Sequence, residues 1–209
     1  MGRFDNLNSC YLIAEIGVNH NGDTELAKKM IHKAKICGAN AVKFQTFKAK
    51  TLVTENTPKV SYQKSTTETQ ETHFQMLEKL ELSEKQHIVL KDYCDEIGID
   101  FISTPYDPES VDFLESLDIE LYKVASADIV DHQLLKRIAA TKKPVMISVG
   151  MATMDEITEA LSIFSKYESG DIILLHCVSN YPCSSESLNL RVIKTLHSNF
   201  QIPVGDNFD

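Results

Sequence analysis

Pro144-Val145-Met146-Ile147-Ser148-Val149-Gly150-Met151-Ala152-Thr153 holds the pattern from which an alternating strand-and-helix fold is read. Val145, Met146 and Ile147 form an apolar run of strand length that ends at a polar residue, Ser148. A glycine turn follows, and then Thr153 with Glu156 three residues on. That spacing lets the threonine hydroxyl and the glutamate satisfy free N–H groups at a first helical turn. Strand, polar strand end, turn and capped helix therefore follow one another in a single short stretch.

The same grammar recurs outward in both directions. Leu12-Ile13-Ala14 gives way to Glu15, and Ala41-Val42 to Lys43 and Gln45. Phe101-Ile102 leads to Ser103-Thr104, Leu121-Tyr122 to Lys123 and Ser126, and Ile172-Ile173-Leu174-Leu175 to His176. Strands are expected near 10–15, 40–45, 100–103, 120–124, 144–148 and 171–176, with a seventh from Ile202. Helices lie between them. Ser83 with Gln86 forms a second capping box, and Asp107 before Pro108 supplies an N-cap. Leu26, Met30, Ala34 and Cys37 recur at near-helical spacing before Gly38, a C-cap residue. Alternating strands and helices imply parallel strands whose C-terminal ends share one face, and in a (β/α) barrel that face holds the active site. The expected fold class is α/β of the (β/α)8 TIM-barrel type. It is incomplete, because about six to seven β/α units can be counted and a closed barrel uses eight strands in about 250 residues. Residues 46–82 break the rhythm, being polar and too long for an ordinary connection. They read as a disordered insertion or as a loop folding over the barrel mouth, with a short helix around Met76, Leu77 and Leu80.

Composition narrows the function. A net charge of −9 over 209 residues, with no Lys/Arg-rich run, argues against nucleic acid. No apolar stretch is long enough to cross a membrane, and the first residues lack the apolar core of a signal peptide. Five cysteines, an odd number without a C-x-x-C, read as free thiols of a cytoplasmic protein. Cys10, Cys37 and Cys94 are expected in the core.

The polar residues at the strand ends carry the chemistry. Lys43 and Lys123 each follow an apolar run, where a lysine is costly to desolvate unless it holds an anion or is itself reactive. Either lysine could instead snorkel to the rim. Two together favour a doubly anionic ligand, such as a phosphate plus a carboxylate. Ser126 and Ser148 could complete an anion cradle with nearby N–H groups, and Gly150 permits close backbone approach. Glu15 interrupts an apolar run, so it is expected buried, either functional or in a structural salt bridge to a barrel lysine. Asn19 and His20 in the next loop offer sugar contacts or an acid/base group, although His20 equally suits a turn cap. His176 has no H-x-H or H-x-x-x-H partner, so a hydrogen-bonded rim histidine is favoured over a metal ligand. Tyr181, beyond it, could form a pocket wall.

These residues sit in strings that resemble the sialic acid synthase family. The strings are Ile13-Ala14-Glu15-Ile16-Gly17-Val18-Asn19-His20-Asn21-Gly22, Ala41-Val42-Lys43-Phe44-Gln45-Thr46 and Phe101-Ile102-Ser103-Thr104-Pro105. Tyr122-Lys123-Val124-Ala125-Ser126, Pro144 to Thr153, and Leu174-Leu175-His176-Cys177 continue the match. The resemblance implies condensation of phosphoenolpyruvate with an N-acetylmannosamine-type aldose to a nine-carbon keto acid, releasing phosphate. It implies a TIM-barrel domain, a divalent metal (Mn2+ or Mg2+) that polarises the aldehyde, and a homodimer formed through a small C-terminal antifreeze-like domain. Lys43, Thr104, Lys123, Ser126 and Ser148 resemble the phosphoenolpyruvate-binding set. Gln45 and Tyr181 resemble sugar-side contacts, and Ser179 and His176 join the substrate-binding residues. Glu15 matches a carboxylate near the reacting centre. With Lys43 and Lys123 it makes the expected catalytic group.

Two departures stand out. Ser126-Ala127-Asp128 replaces the family's usual Ser-Gly-Glu, shortening a substrate-facing carboxylate by one methylene. After the seventh strand the chain reads Asn207-Phe208-Asp209 where the family has Ser-Asp-His-Thr, so the two metal-binding histidines are not in it. The expectation is one synthase domain over 1–209, C-terminally truncated, without the antifreeze-like domain. Two rival readings remain: a Schiff-base aldolase using Lys123, and an inactive remnant that at most binds phosphoenolpyruvate.

Overall fold

A computed structural model describes residues 10–59, 71–180 and 183–207. Strands and helices alternate along it. The strands are β1 (Ile13–Gly17), β2 (Ala41–Thr46), β3 (Asp100–Pro105), β4 (Tyr122–Val124), β5 (Val145–Ser148), β6 (Ile172–His176) and β7 (Val204–Asp206). The helices are α1 (Thr24–Ile36), α2 (Ala49–Leu52), α3 (His73–Leu80), α4 (Glu84–Ile97), α5 (Pro108–Ser116), α6 (His132–Ala139), α7 (Met154–Lys166) and α8 (Arg191–Phe200). All seven expected strands form, displaced by at most a few residues.

The chain divides into two compact units, one of Tyr11–Phe113 and one that starts at Leu114. In the first, β1, β2 and β3 pair in parallel, with Glu15 opposite Lys43 and Gln45 opposite Thr104. The β1 register slips between Glu15 and Gly17, and Gly17 takes φ +53°, so the chain leaves the sheet at a bulge. In the second, β4 to β7 pair in parallel in chain order, with Lys123 opposite Met146 and Ser148 opposite Leu175. Strand parity sends alternate side chains to opposite faces. Lys43, Gln45, Ile102 and Thr104 therefore share one face, while Phe44, Thr46, Phe101 and Ser103 share the other. On that second face Phe44 stacks on Phe101 with ring centres 5.2 Å apart.

Local signals form as read. Ser83/Gln86 and Thr153/Glu156 make complete capping boxes, and a third, Thr72/Gln75, opens α3 where the short helix was expected. Asp107 caps α5, accepting the Ser110 N–H at 2.7 Å. Two expectations change. The buried face of α1 centres on Ala27 and Ile31, one residue round the helix from the expected Leu26, Met30, Ala34 and Cys37. Of the three cysteines expected in the core only Cys94 is there, its thiol pushed up to about 12 by burial and by Asp95. Cys10 and Cys37 are exposed: Cys37 lies at the end of α1, past its last packed turn, and Cys10 precedes β1. Residues 60–70 of the expected loop, and Tyr181, lie outside the described residues.

Candidate active site

Each unit gathers its own polar cluster at strand ends. In the first unit Lys43 is only 7% exposed. Its ammonium donates to Thr104 Oγ1 at 3.1 Å across the β2–β3 pair. It also lies 3.0 Å from Glu15 Oε2 on β1. Three neighbouring strands thus converge on one lysine. The Gln45 amide lies on the same face, with its nitrogen near the place a Gly17 Cβ would take.

Glu15 corrects an expectation, because its side chain is 35% exposed rather than buried. Glu15 pairs opposite Lys43 in the regular part of the ladder, before the bulge, and its carboxylate lies beside Gly17 against the Lys43 ammonium. A Cβ on Gly17 would lie 3.0 Å from Glu15 Oε1, so the glycine makes room for that carboxylate. The structural ion pair weighed for Glu15 is thus formed, and the carboxylate remains open to solvent.

His20 does not join this cluster. It is almost wholly buried, with its ring 6.0 Å from Phe44 on the opposite face of the sheet, and its Nδ1 accepts the Gly22 N–H at 2.9 Å. Nδ1 is therefore the unprotonated nitrogen. Burial, with the nearby His87, lowers its pKa and keeps the ring neutral. The turn-capping role is the one formed. Asn19 is exposed in the same turn, where its N–H bonds to the Ile16 carbonyl.

In the second unit Lys123 is 5% exposed, and it donates to Ser148 Oγ at 2.6 Å and to the Val124 carbonyl at 3.2 Å. The turn after Ser148 closes tightly. Gly150 N–H donates to Ser126 Oγ at 3.0 Å, and Ser126 Oγ lies 3.4 Å from Cys177 Sγ. A side chain at position 150 would meet Ser126 Oγ and Ser179 Oγ at 2.9 Å each, and the Cys177 carbonyl at 3.0 Å. Ser126, Ser148, Gly150 and Ser179 thus form one rim of hydroxyl and N–H groups beside a buried ammonium. Such a set holds a carboxylate or phosphate oxygen.

Asp128 ends a short 3-10 turn beginning at Ser126. Its Oδ2 is buried with no hydrogen-bond partner among the described residues. Burial raises its pKa to about 6, Asp131 adds to the rise, and Lys123 opposes it. Such a carboxyl can hold or release a proton near neutral pH. His176 donates from Nε2 to the Leu188 carbonyl at 2.6 Å, the hydrogen-bonded arrangement favoured from sequence. Among the described residues no group of three or more His, Cys, Asp or Glu is placed to hold a metal ion. The described donors therefore do not fit the divalent ion that the resemblance implies.

One polar group escaped the sequence reading. Thr46 Oγ1 lies 2.7 Å from Ser103 Oγ and 3.0 Å from His87 Nε2, all three buried behind the Lys43 cluster. The Ser83 carbonyl can only accept, so His87 Nδ1, 3.1 Å from it, carries the proton. Nε2 must then accept from Thr46. Only the spacing of the Ser83 cap to His87 hinted at this brace.

The chain resembles known proteins over most of its length. The chain is 44% identical over 201 residues to N,N'-diacetyllegionaminic acid synthase of Legionella pneumophila subsp. pneumophila, covering 94% of this chain and 56% of that protein. It is 37% identical over 203 residues to the human N-acetylneuraminate-9-phosphate synthase, covering 94% and 54%. The chain spans about half the length of the curated relatives it matches. Among solved structures it superposes on the N-acetylneuraminic acid (sialic acid) synthetase from Leptospira borgpetersenii serovar Hardjo-bovis, in complex with citrate. The TM-score is 0.85 at 35% identity, covering 96% of this chain and 65% of that one. The fold is thus of the (β/α)8 type, with seven strands among the described residues. The NeuB family model matches residues 30–206, and the chain belongs to the NeuB family.

Proposed function

We propose that this chain is the barrel part of an enzyme that condenses phosphoenolpyruvate with an N-acetylated mannosamine-type aldose. A carbon–carbon bond forms between the phosphoenolpyruvate methylene and the aldehyde carbon, whose oxygen takes a proton. Water adds at the second carbon of the enolpyruvyl unit, and inorganic phosphate leaves. The product is a nine-carbon keto acid. Names of the relatives support this class, since legionaminic and N-acetylneuraminic acids are sugar acids built by synthases. The citrate complex of the Leptospira relative fits an anion-binding site.

The observation that carries the reading is the buried Lys123 held against Ser148 at 2.6 Å, with the Gly150 turn beside it. In the second unit Lys123, Ser148 and Ser126 would bind a carboxylate or phosphate group and neutralise its charge. In the first unit Lys43 and Thr104 would bind an anionic oxygen, with Glu15 and Gln45 directed to sugar hydroxyls. Asp128, whose pKa burial raises to about 6, would exchange a proton with a substrate oxygen. The expected roles of Ser179, His176, Asn19 and Tyr181 in substrate binding stand as part of this proposal. That of His20 gives way to turn capping.

The test is calorimetric titration of the chain with phosphoenolpyruvate, beside a phosphate-release assay with N-acetylmannosamine and manganese. Binding that Lys123→Ala abolishes supports the assignment; equal binding by that variant refutes it. Binding without turnover supports the second reading, a barrel that holds phosphoenolpyruvate but does not react. The absence of a three-ligand set among the described residues favours that reading for the chain alone. Borohydride trapping of pyruvate on Lys123 would favour the aldolase instead.

A further inference from the structure

Behind the Lys43 cluster, on the other side of β2, the first unit contains a cavity of about 430 Å³. That volume lies in the range of small-molecule sites. Its inner wall is Thr46 and His87, the buried brace described above. Phe47, Leu82 and Phe113 supply its apolar surface. The two rings are held in place: Phe47 meets Tyr106 edge-on at 6.1 Å, and Phe113 meets His87 edge-on at 5.5 Å. Lys50, Thr51, Glu84 and Glu109 stand exposed at the rim.

The lining excludes simple occupants. A small anion would face the Glu84, Asp107 and Glu109 carboxylates. A small cation would face Lys48 and Lys50, together with the N-terminal ends of α4 and α5, where helix dipoles disfavour positive charge. Neither would fill the volume. A wholly apolar molecule would desolvate Asp107 and the buried Ser110 against hydrocarbon. Several of these groups are already engaged. Asp107 accepts from Ser110 N–H at 2.7 Å and from Thr51 Oγ1 at 2.9 Å, and Lys48 is paired with Glu81 at 3.0 Å.

What suits fixed aromatic walls ringed by carboxylates, hydroxyls and one rim lysine is a molecule with C–H faces and many hydroxyls. We propose that this cavity is a carbohydrate-binding site of monosaccharide size, separate from the strand-end lysine cluster. The sugar ring packs on Phe47 and Phe113, its hydroxyls donate to Glu84 and Glu109, and Lys50 donates to a hydroxyl or carboxylate oxygen of the sugar. The proposal stands independently of the condensation reaction.

The experiment titrates the full 209-residue chain, labelled with nitrogen-15, with N-acetylmannosamine and with N-acetylneuraminic acid. Saturable shifts at the Phe47, Thr51, Ser110 and Phe113 amides are expected, unchanged in Lys43→Ala. Thr51→Trp, which fills the cavity from its rim, should weaken binding by about tenfold or more. Lys50→Glu, on the exposed rim, should weaken the acidic sugar more than the neutral one and guards against a folding failure of the tryptophan variant. Three outcomes overturn the proposal. The first is no saturable shift at these amides. The second is shifts confined to Glu15, Lys43 and Thr104 and lost in Lys43→Ala, which would report only the strand-end cluster. The third is L-phenylalanine shifting the cavity amides more strongly than either sugar.

Discussion

The Lys123 ammonium and the Ser148 hydroxyl meet at 2.6 Å across the β4–β5 pair, both almost fully buried. A buried ammonium keeps its charge only when oxygens surround it, and here a serine and the Val124 carbonyl do so. Ser148→Ala removes one of them. A hydrogen bond to a charged group is worth about 1.5–3 kcal/mol. Phosphoenolpyruvate binding should therefore fall by about tenfold to a hundredfold, read by calorimetry. Lys123→Met should abolish binding while leaving the chain folded.

Gly150 sets how closely the turn approaches the serine rim. Gly150→Ala places a Cβ within 3.0 Å of two hydroxyls and a carbonyl, and the carbonyl belongs to backbone that cannot rotate away. Overpacking of this kind costs about 1–3 kcal/mol. The variant should unfold at lower temperature and lose affinity for phosphoenolpyruvate. Ser179→Gly in the same chain should restore only part of the loss, because the Cys177 carbonyl remains.

Thr46 joins His87 to Ser103 behind Lys43 and Gln45. Thr46→Val keeps the shape but leaves buried partners unsatisfied, at a cost of about 1–3 kcal/mol. Thr46→Ser retains the hydroxyl and should lose far less. Denaturant unfolding of the two variants measures the difference.

Asp128 links stability to pH. Its pKa rises from 3.8 to about 6, so the folded chain binds a proton more tightly than the unfolded chain does. The protonated group stabilises below about pH 4, and that contribution is lost as pH rises through about 6. Asp128→Asn, always neutral, should raise the melting temperature of the protein at about pH 7.5 relative to wild type and leave the difference small at about pH 4. Thermal scans across this window read it directly; a constant gap at both ends would contradict the assignment.

Strand positions, capping boxes and the strand-end lysines were legible because each depends on a few adjacent residues. Short apolar runs leading into Lys43, Lys123 or Ser148 mark the strands, although β2 continues past Lys43 to Thr46 and Lys123 is the middle residue of β4. Ser83 with Gln86 satisfies its own N–H groups whatever lies around it. Faces were less legible. The α1 pattern admitted two stripes one residue apart, and packing chose the one through Ala27 and Ile31. Cys37 and Cys94 both sit in apolar patterns in sequence, yet only Cys94 is buried.

His20 and Glu15 show the boundary between the two kinds of information. Chemistry at the end of β1 was readable from residue type alone, since a carboxylate and a histidine beside an apolar run need partners. Which partners they found depended on the pairing of β1 with β2, which sets Glu15 opposite Lys43, and on the turn after Gly17, which leaves His20 beside Phe44 on the far face. The cavity lined by Phe47, His87 and Phe113 likewise draws on segments distant in the chain. Hydrogen bonds and caps that close within one turn are encoded locally. Burial, side-chain facing and cavities exist only once separate elements pack, because they are properties of the space between segments rather than of any segment.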